Sequence, residues 1–356
     1  MNNKFFLGFF SIIAISNVFA ADSGYSKLLN MHSMYEKNTK SYDSTSDISE
    51  NGGYIISTSN VVFDCKGKTL DGKGVLPTGL LIESYGKNIS NITVKNCTFK
   101  NYKFNGIRIG WGIPATLKYS IPSEDRYSFH PNNIIIKNVK IINSGTVGLY
   151  IDNYVSNVSV LSSQISSSGA PAIYLEFSSK NNLIEANKFF KNGYNQKRGN
   201  REALAVDGSF NNTIRKNTFD SNAAGAIFLY KNCQEQFSKG GAPVREDGAD
   251  YNKIDSNTFI NEKIGVWVAS RQSRDLSKWD CGGKSMFQNK YYQDYSDYNT
   301  VSNNFFSNVD KKIIIEGDYN KVINNKSDQP DSKIVSLPVT KRSVYLNKPQ
   351  IGNVVE

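Results

Sequence analysis

Three carboxylates recur at the same position of a short apolar motif. Asp152, Glu176 and Asp207 each directly follow a small residue, an apolar residue, a variable residue and a second apolar residue. If these motifs stack as strands of successive coils, each carboxylate lies about 5 Å from the next. Carboxylates that close together need a raised pKa, a paired basic residue or a bound cation such as Ca²⁺. The pattern therefore predicts an ionic site in which all three residues are candidate calcium ligands.

Basic and hydroxyl groups accompany this column in the aligned motifs. Arg201 and Arg271 flank it, while Tyr230 and Lys231 end the next copy of the motif. An arginine can neutralise the carboxylate of a uronic acid, a lysine with a lowered pKa can remove the adjacent proton, and a tyrosine can protonate the leaving oxygen. His130, at the end of an insertion, is a further candidate base. The predicted catalytic residues are Lys231, Arg201, Arg271, Tyr230, Asp207 and His130.

A second column lies two residues before the carboxylates and is rich in aromatic residues. Rows of aromatic rings on a sheet face suit stacking against sugar rings, although the same rings can also pack beneath loops. Two insertions add one tryptophan and one arginine to the candidates. The predicted substrate-binding residues are Arg108, Tyr150, Tyr174, Phe228, Trp267, Trp111 and Arg245.

These motifs belong to a repeat that runs through most of the chain. Asn-x-x-x-x-Asn segments alternate with the small-apolar-x-apolar motif, and the shortest spacings are about 21–25 residues. A period of this size indicates a solenoid, and apolar alternation favours strands over helices. The sequence therefore predicts an all-β parallel β-helix in which the repeated Asn side chains form a hydrogen-bonded ladder. The Asn segments begin at Asn91, Asn133, Asn182, Asn212, Asn252, Asn299 and Asn320.

The repeat from Asn91 to Asn325 resembles the single-stranded right-handed β-helix of the pectin-lyase-like superfamily. Members of that superfamily are mostly secreted polysaccharide lyases, uronate epimerases, glycoside hydrolases and phage tailspikes, and they bind glycans in a groove across the stacked strands. The Cys-x-Gly-Lys-Thr-Leu-Asp-Gly segment at Cys65–Gly72, with the basic and secreted character of the chain, is similar to exopolysaccharide lyases of Vibrio-type biofilm-matrix clusters. The resemblance implies a right-handed fold and a glycan substrate.

The function favoured by these features is β-elimination of an acidic, uronate-containing bacterial exopolysaccharide, with remodelling or dispersal of a biofilm matrix as its purpose. Glycoside hydrolysis is an alternative, because pairs among Asp152, Glu176 and Asp207 could place two carboxyl groups about 5–5.5 Å apart for retention or about 6.5–9.5 Å apart for inversion. Uronate C5-epimerisation is another. The Asp-Pro-His-Asp motif of alginate epimerases and the Gly-His-Gly and Arg-Ile-Lys motifs of polygalacturonases are absent. A non-catalytic glycan-binding solenoid is the third class.

Composition divides the chain into four parts. Residues 1–20 have the form of a secretory signal peptide, and residues 21–60 are predicted to cap the solenoid with a helix at Tyr25–Lys40. Residues 61–326 are predicted to form the β-helix, and residues 327–356 an extended tail. The long insertions each follow a small-apolar-x-apolar motif and should therefore emerge on the same side of the solenoid. The three longest are Trp111–Pro131, Cys233–Asp250 and Ser270–Tyr298.

The net charge and the cysteine content indicate what kind of partner the protein binds and in which compartment it works. The net charge of +10 favours an anionic partner, and an acidic polysaccharide fits a secreted protein better than nucleic acid, for which no motif is present. Outside the signal-like segment, no apolar stretch is long enough to span a bilayer. Four cysteines in an oxidising compartment predict two disulfides, Cys65–Cys97 between early coils and Cys233–Cys281 between two insertions. We expect a secreted or periplasmic monomer.

Overall fold

The computed structural model is a right-handed parallel β-helix. It describes residues 39–43, 48–49, 52–112, 120–195, 199–239, 245–329 and 333–356. The described residues form three parallel sheets of eleven, ten and nine strands, here called sheets A, B and C. Each coil adds one strand to each sheet in turn, so neighbours in a sheet come from successive coils. The predicted fold class is confirmed.

The three sheets have the following strands. Sheet A contains Thr39–Ser41, Gly53–Ile56, Thr78–Glu83, Asn105–Gly110, Leu149–Ile151, Ile173–Leu175, Glu202–Asp207, Gly225–Tyr230, Ile264–Val268, Lys311–Ile315 and Val335–Ser336. Sheet B contains Val62–Asp64, Ser90–Lys95, Asn132–Lys137, Ser156–Leu161, Leu183–Glu185, Thr213–Arg215, Lys253–Asp255, Thr300–Ser302, Lys321–Ile323 and Val354–Val355. Sheet C contains Thr69–Asp71, Thr98–Lys100, Lys140–Ile142, Gln164–Ser166, Lys188–Phe190, Thr218–Asp220, Thr258–Ile260, Phe305–Ser307 and Lys326–Ser327.

Alternate side chains of each strand point into the coil and stack in rows. In sheet C the rings of Phe189, Phe219, Phe259 and Phe306 follow one another at 4.9, 5.2 and 4.8 Å between centroids. The spacing of strands in a sheet sets this distance. Burial of each such side chain stabilises the fold by about 2 kcal/mol. The core is therefore a continuous column that runs the length of the solenoid.

A ladder of buried asparagines is confirmed at five of the seven predicted positions, whereas Asn91 and Asn133 are exposed and bond each other in a separate row, with Asn133 Nδ2 donating to Asn91 Oδ1 at 2.6 Å. In each rung the Nδ2 and backbone N–H groups of one Asn donate to the Oδ1 atom of the next, at 2.8–3.1 Å. This ladder consists of Asn182, Asn212, Asn252, Asn299 and Asn320. A parallel ladder five residues further along each coil consists of Asn187, Asn217, Asn257, Asn304 and Asn325. Because the amides satisfy one another and the corner backbone, these positions can be buried without cost.

Both ends of the solenoid differ from the sequence-based boundaries. Strands Thr39–Ser41 and Gly53–Ile56 already belong to sheet A, ahead of the predicted start at residue 61. The signal segment and most of the predicted helix at Tyr25–Lys40 lie outside the described residues, but Lys40 is in a strand. Residues 327–356 are more than an extended tail. They complete all three sheets and include an α-helix at Lys341–Leu346, capped by Thr340.

In their described residues, the insertions carry little regular structure of their own. The first and second contain 3₁₀ turns at Arg126–Phe129 and Phe237–Lys239. The third contains an antiparallel pair, Ser285–Phe287 with Tyr291–Tyr292. Its Phe287 ring stacks 4.0 Å from Tyr345, so the insertion rests on the C-terminal helix. Both predicted disulfides, Cys65–Cys97 and Cys233–Cys281, are present. Among the described residues, no helix combines the length and the apolar character needed to cross a membrane.

Candidate functional site

The two predicted columns stand in register on the outward face of sheet A. The aromatic column pairs Arg108, Tyr150, Tyr174, Ala205, Phe228 and Trp267 in that order. Asp152 and Glu176 directly follow their strands, and Asp207 ends its own. The structure therefore brings the three carboxylates together on one wall. The insertions cover this wall, so that Asp152 is 8% and Asp207 0% exposed.

Arg245, from the second insertion, lies between two of these carboxylates. Its Nη2 atom is 3.0 Å from Asp207 Oδ2, 3.3 Å from Glu176 Oε1 and 3.4 Å from Glu235 Oε1. Burial raises the pKa of Glu176 to about 7, because the attraction of Arg245 offsets the loss of solvation only in part and Asp207 adds a like charge. Glu176 can therefore hold a proton at neutral pH in this site.

The position of Arg245 also bears on the predicted calcium ion. Ca²⁺ needs six to eight oxygen ligands at about 2.3–2.6 Å. Within the part of the chain that the structure describes, no group of three or more His, Cys, Asp or Glu side chains is arranged to hold a metal ion. The guanidinium of Arg245 already supplies positive charge between Glu176 and Asp207. This donor set does not fit calcium, so the structure favours a paired basic residue among the three ways that the sequence leaves open to offset the carboxylate charges.

The aromatic column is tied to the acidic one. Tyr150 donates its hydroxyl hydrogen to Glu176 Oε2, and Tyr174 donates to Asp207 Oδ2 at 2.8 Å. The guanidinium of Arg108 lies 4.9 Å from the centre of the Tyr150 ring, and its Nη2 atom is 3.0 Å from the Asp152 carboxylate. Residues that the sequence nominated for substrate binding therefore also hold the carboxylates in place.

A basic cleft of about 360 Å³ opens beside this network, and we call it the arginine cleft. Four cationic side chains line it, together with Tyr174, Trp279, Asn232, Glu235 and Gln236. The cations are Arg201, Arg271, Arg274 and Lys278. The Arg274 guanidinium lies 5.0 Å from the centre of the Trp279 ring. Clustered cations beside aromatic walls suit an anionic sugar, because charge and ring face are recognised together.

Glu202 anchors the floor of the arginine cleft. Its carboxylate accepts from Arg201 Nη2 at 2.9 Å and from the Tyr230 hydroxyl at 2.8 Å. Burial opposes ionisation of Glu202, but Arg201 and Arg271 outweigh it and hold its pKa at about 2. Tyr230 is fully buried, which raises its pKa, and the Arg271 guanidinium lies 3.7 Å from the centre of its ring. Arg201 is thus held by an ionised carboxylate, which also attracts Arg271.

Lys231 directly follows the strand Gly225–Tyr230 of sheet A and does not line the arginine cleft. It lines a smaller cleft of about 200 Å³, here called the lysine cleft, with Arg245, Lys284 and Tyr295. Its Nζ atom donates to the Glu246 carbonyl at 3.3 Å and lies 5.0 Å from the centre of the Tyr295 ring. Burial lowers the pKa of Lys231, although nearby carboxylates oppose this effect. Asn232 lines both clefts, so they are direct neighbours.

The second and third insertions are joined where they form the two clefts. The Cys233–Cys281 disulfide links them. Gln236 N donates to Trp279 O at 2.8 Å, and Gly282 N donates to Gln234 O at 3.0 Å. The walls of the arginine cleft therefore come from two segments that are covalently and hydrogen-bond linked.

The remaining predicted site residues lie apart from both clefts. His130 is fully buried, with its Nδ1 atom 2.6 Å from Arg126 O and its ring edge-on to Trp111 at 4.3 Å between centroids. Trp111 is 1% exposed. Phe228 is 6% exposed and packs against Trp267 at 5.4 Å. The proposed roles of these residues stay predictions.

Sequence reasoning missed several residues of the site. Glu83, which pairs with Gly110 in the acidic column and lies 3.6 Å from Arg108 Nε, could have been found by extending that column one coil earlier. Arg274 and Lys278 follow Arg271 within eight residues, and this basic cluster was a usable signal. Glu235 belongs to an insertion without periodicity, so nothing in the pattern pointed to it.

Comparisons with known proteins support the fold. A sequence family described as a right-handed β-helix region matches residues 126–240. No curated protein matches the chain. Similar solved structures include an alginate lyase from Paenibacillus sp. str. FPU-7, with 10% identity and a TM-score of 0.39 over 89% of this chain and 97% of that chain. The DFA-IIIase from Arthrobacter chlorophenolicus A6, solved in complex with GF2, has 10% identity and a TM-score of 0.45 over 94% and 83%.

A third similar structure is a lacto-N-biosidase from Eubacterium ramulus, with 12% identity and a TM-score of 0.44 over 81% of this chain. The chain spans 46% of the length of that enzyme. With identities and TM-scores this low, these structures carry no argument about the activity of this chain. Its own sheet topology and the match to the β-helix family model define a right-handed parallel β-helix protein, and its activity must be argued from its own site.

Proposed function

We propose that this protein binds a uronate-containing polysaccharide in the arginine cleft and cleaves it by β-elimination. The observation that carries the proposal is the convergence of Arg201, Arg271, Arg274 and Lys278 on one cleft with Trp279 at its wall. Arg201 already pairs with Glu202, so the exposed Arg274 and Lys278 supply most of the charge that is open to a ligand. A carboxylated sugar satisfies them through bidentate hydrogen bonds and charge pairing.

The elimination requires three groups. The arginines neutralise the sugar carboxylate and so make the neighbouring C–H proton more acidic. Lys231, whose pKa is lowered by burial, accepts that proton. As the C–H electron pair forms the new double bond, the glycosidic C–O bond breaks and its oxygen takes a proton from a hydroxyl group. Tyr174, which lines the cleft, is better placed for this last step than the fully buried Tyr230.

Lys231 takes part only if one uronate ring lies across Asn232, which lines both clefts, because the proton to be removed is on the carbon that carries the neutralised carboxylate. The carboxylate of that ring then faces the arginines while its C–H faces Lys231.

Hydrolysis is the second candidate, and one observation favours it. Glu176 has a pKa of about 7, which suits a general acid at neutral pH, and Asp207 lies in the next coil as a possible second carboxyl group. Arg245 contacts both groups, so a hydrolytic reaction would require this contact to loosen when substrate binds.

The product distinguishes the two reactions. Purified protein is incubated with alginate, polygalacturonate, hyaluronan and bacterial exopolysaccharides. Ultraviolet absorbance of an unsaturated uronate supports elimination, while new reducing ends without that absorbance support hydrolysis. Binding without either product supports the glycan-binding alternative.

A charge-matched pair of variants tests the cleft itself. The double variant Arg274→Ala, Lys278→Ala removes two exposed cations from the cleft and should lower kcat/KM by about tenfold or more. The double variant Lys188→Ala, Lys253→Ala removes the same charge from exposed strand positions on sheets C and B. Equal losses in both would mean that only net charge matters, and the arginine cleft would lose its assigned role.

The compartment fits this activity. Two disulfides are consistent with an extracellular or periplasmic protein. We place the substrate outside the cell for this reason, and a biofilm-matrix polysaccharide is the specific candidate that the sequence resemblance suggests. The monomeric state expected from the sequence stays a prediction.

A further inference from the structure

A third cleft lies on the same face of sheet A, toward its C-terminal end. It has a volume of about 400 Å³ and is here called the distal cleft. Trp267 forms one wall, and the C-terminal segment closes the other through Ile334 and Pro338.

The distal cleft contains a buried acid with an unused hydrogen-bonding atom. Glu316 lines the cleft and is 3% exposed. Its Oε1 atom accepts the indole N–H of Trp267 at 3.0 Å, which fixes the orientation of that ring. Its Oε2 atom is buried and makes no hydrogen bond of good geometry among the described residues, although the Ser273 hydroxyl lies close enough to the carboxyl group to favour its charged form. An unpaired buried carboxyl oxygen is costly unless a ligand hydroxyl completes its hydrogen bonding.

The remaining lining combines apolar side chains with charged ones, in which three lysines outnumber the single aspartate, Asp310. Ile264 and Ile314 flank Trp267, while the exposed Lys311 and Lys333 stand at the rim. An oriented indole beside apolar side chains suits the face of a pyranose ring, and the rim lysines suit its carboxylate. A purely apolar ligand would leave the Glu316 oxygen unsatisfied.

The distal cleft is aligned with the arginine cleft. Tyr174 pairs with Ala205, Ala205 with Phe228 and Phe228 with Trp267, so Trp267 lies three coils beyond Tyr174. At the spacing of strands in a sheet, this separation is about 14 Å along the solenoid axis. A polysaccharide that follows the stacked strands out of the arginine cleft therefore reaches Trp267.

We propose that the distal cleft is a second binding subsite for the same anionic polysaccharide, in which Trp267 stacks on a pyranose ring and Glu316 Oε2 bonds one of its hydroxyl groups. This inference rests on the proposed binding of an anionic glycan, and it extends that binding beyond the site of cleavage. Its consequence is a preference for long chains, since only these occupy both clefts at once.

Affinity electrophoresis of the full-length protein in gels that contain alginate, polygalacturonate or hyaluronan tests the subsite. Trp267→Ala should raise the Kd for the retarding polymer by about tenfold, equivalent to about 1.4 kcal/mol. Trp267→Phe, which keeps an aromatic face, should recover most of the affinity. Tyr251→Ala serves as the control, because it removes an aromatic side chain that is 57% exposed and lines none of the three clefts.

The outcomes separate this inference from the proposed reaction. If the wild type is retarded and Trp267→Ala is retarded equally, the subsite is wrong even where unsaturated products form. If retardation depends on Trp267 but no product forms, the subsite stands and the reaction is wrong. Failure of every polymer to retard the wild type overturns the subsite as well. Thermal unfolding of each variant confirms that a loss of binding is not a loss of fold.

Discussion

The Nη2 atom of Arg245 lies 3.0 Å from the Oδ2 atom of Asp207, and both side chains are withdrawn from solvent, at 4% and 0% exposure. This contact fastens the second insertion to the acidic column of sheet A. A buried ion pair adds little net stability, but removal of one partner leaves a charge without compensation. The position of the loop over the site is therefore coupled to the charge of the column beneath it.

The first prediction concerns this contact. Arg245→Met keeps much of the side-chain volume but leaves Glu176 and Asp207 without their shared cation. We expect the free energy of unfolding to fall by on the order of 3 kcal/mol, and the loss to grow as pH rises and Glu176 ionises. Urea denaturation at several pH values measures both effects.

Arg215→Met is the matched control for that variant. Arg215 pairs with Glu185 at 2.9 Å, but its side chain is 42% exposed. An exposed ion pair contributes about 0–1 kcal/mol, so this variant should change stability little. Comparable losses from the two substitutions would show that the buried contact has no special role.

The sequence was sufficient to predict the columns but not their partners. Asp152, Glu176 and Asp207 recur with the motif, and stacked strands place equal positions above one another. Arg245 reaches them from an insertion whose path depends on tertiary contacts, and no periodic pattern encodes such a path. Its pairing with Asp207 was therefore visible only in the structure, although the residue itself had been nominated.

Glu202 shows a second limit of pattern reasoning. Strict alternation along its strand places Glu202 on the same side as Leu204, inside the coil. Ala203 and Leu204 are consecutive, yet both pack in the core, so the alternation is interrupted between them. Glu202 therefore meets Arg201 and Tyr230 on the outer face, where it supports the arginine cleft. In the sequence, the small residue Ala203 directly before the apolar Leu204 is the signal of this interruption.

The second prediction concerns calcium. Because Arg245 occupies the space between Glu176 and Asp207, we expect EDTA to leave glycan cleavage unchanged. Activity is measured in EDTA-treated protein with and without added Ca²⁺, and with Mg²⁺ as an ionic-strength control. Loss of activity that only Ca²⁺ restores would contradict this expectation and return the three carboxylates to the role of metal ligands.

The third prediction concerns Glu262, which takes the place of an asparagine in a ladder. It accepts from the Nδ2 and backbone N–H groups of Asn222, as Asn222 accepts from Asn192. Glu262 is 2% exposed, and burial raises its pKa from 4.5 to about 8. The folded protein therefore holds a proton that the unfolded chain has released between these two pH values.

The contribution of Glu262 to the free energy of unfolding should consequently be greatest near or below pH 4.5 and should decline as pH rises toward 8. Glu262→Gln keeps an acceptor for Asn222 but cannot ionise. At pH 9 it should be more stable than the wild type by on the order of 3 kcal/mol, and near pH 4 the two should be similar. Thermal unfolding across this range measures the difference, with the exposed Glu124→Gln as control. A constant offset at every pH would contradict the assignment.

The fourth prediction concerns the disulfide between Cys233 and Cys281. It joins the insertions that supply Glu235 on one wall of the arginine cleft and Trp279 on the other. Replacement of both cysteines by serine should raise KM for the polysaccharide by about tenfold. Without the covalent link, the two walls of the arginine cleft spend less time in the arrangement that binds substrate, and the apparent affinity falls in proportion. Steady-state kinetics over a range of polymer concentrations measures this change.

The Cys65–Cys97 disulfide provides the internal comparison. It joins neighbouring coils of sheet B at the N-terminal end, and neither cysteine lines a cleft. Loss of either disulfide should lower the free energy of unfolding by about 2–4 kcal/mol, because the unfolded chain is then less constrained. Below the unfolding temperature, however, Cys65→Ser with Cys97→Ser should leave KM unchanged, while Cys233→Ser with Cys281→Ser should not. If neither double variant shifts KM, the hydrogen bonds from Gln236 and Gly282 suffice to form the cleft, and the role assigned to the Cys233–Cys281 disulfide is wrong. Equal increases in both would contradict it as well, since they would reflect a general loss of stability.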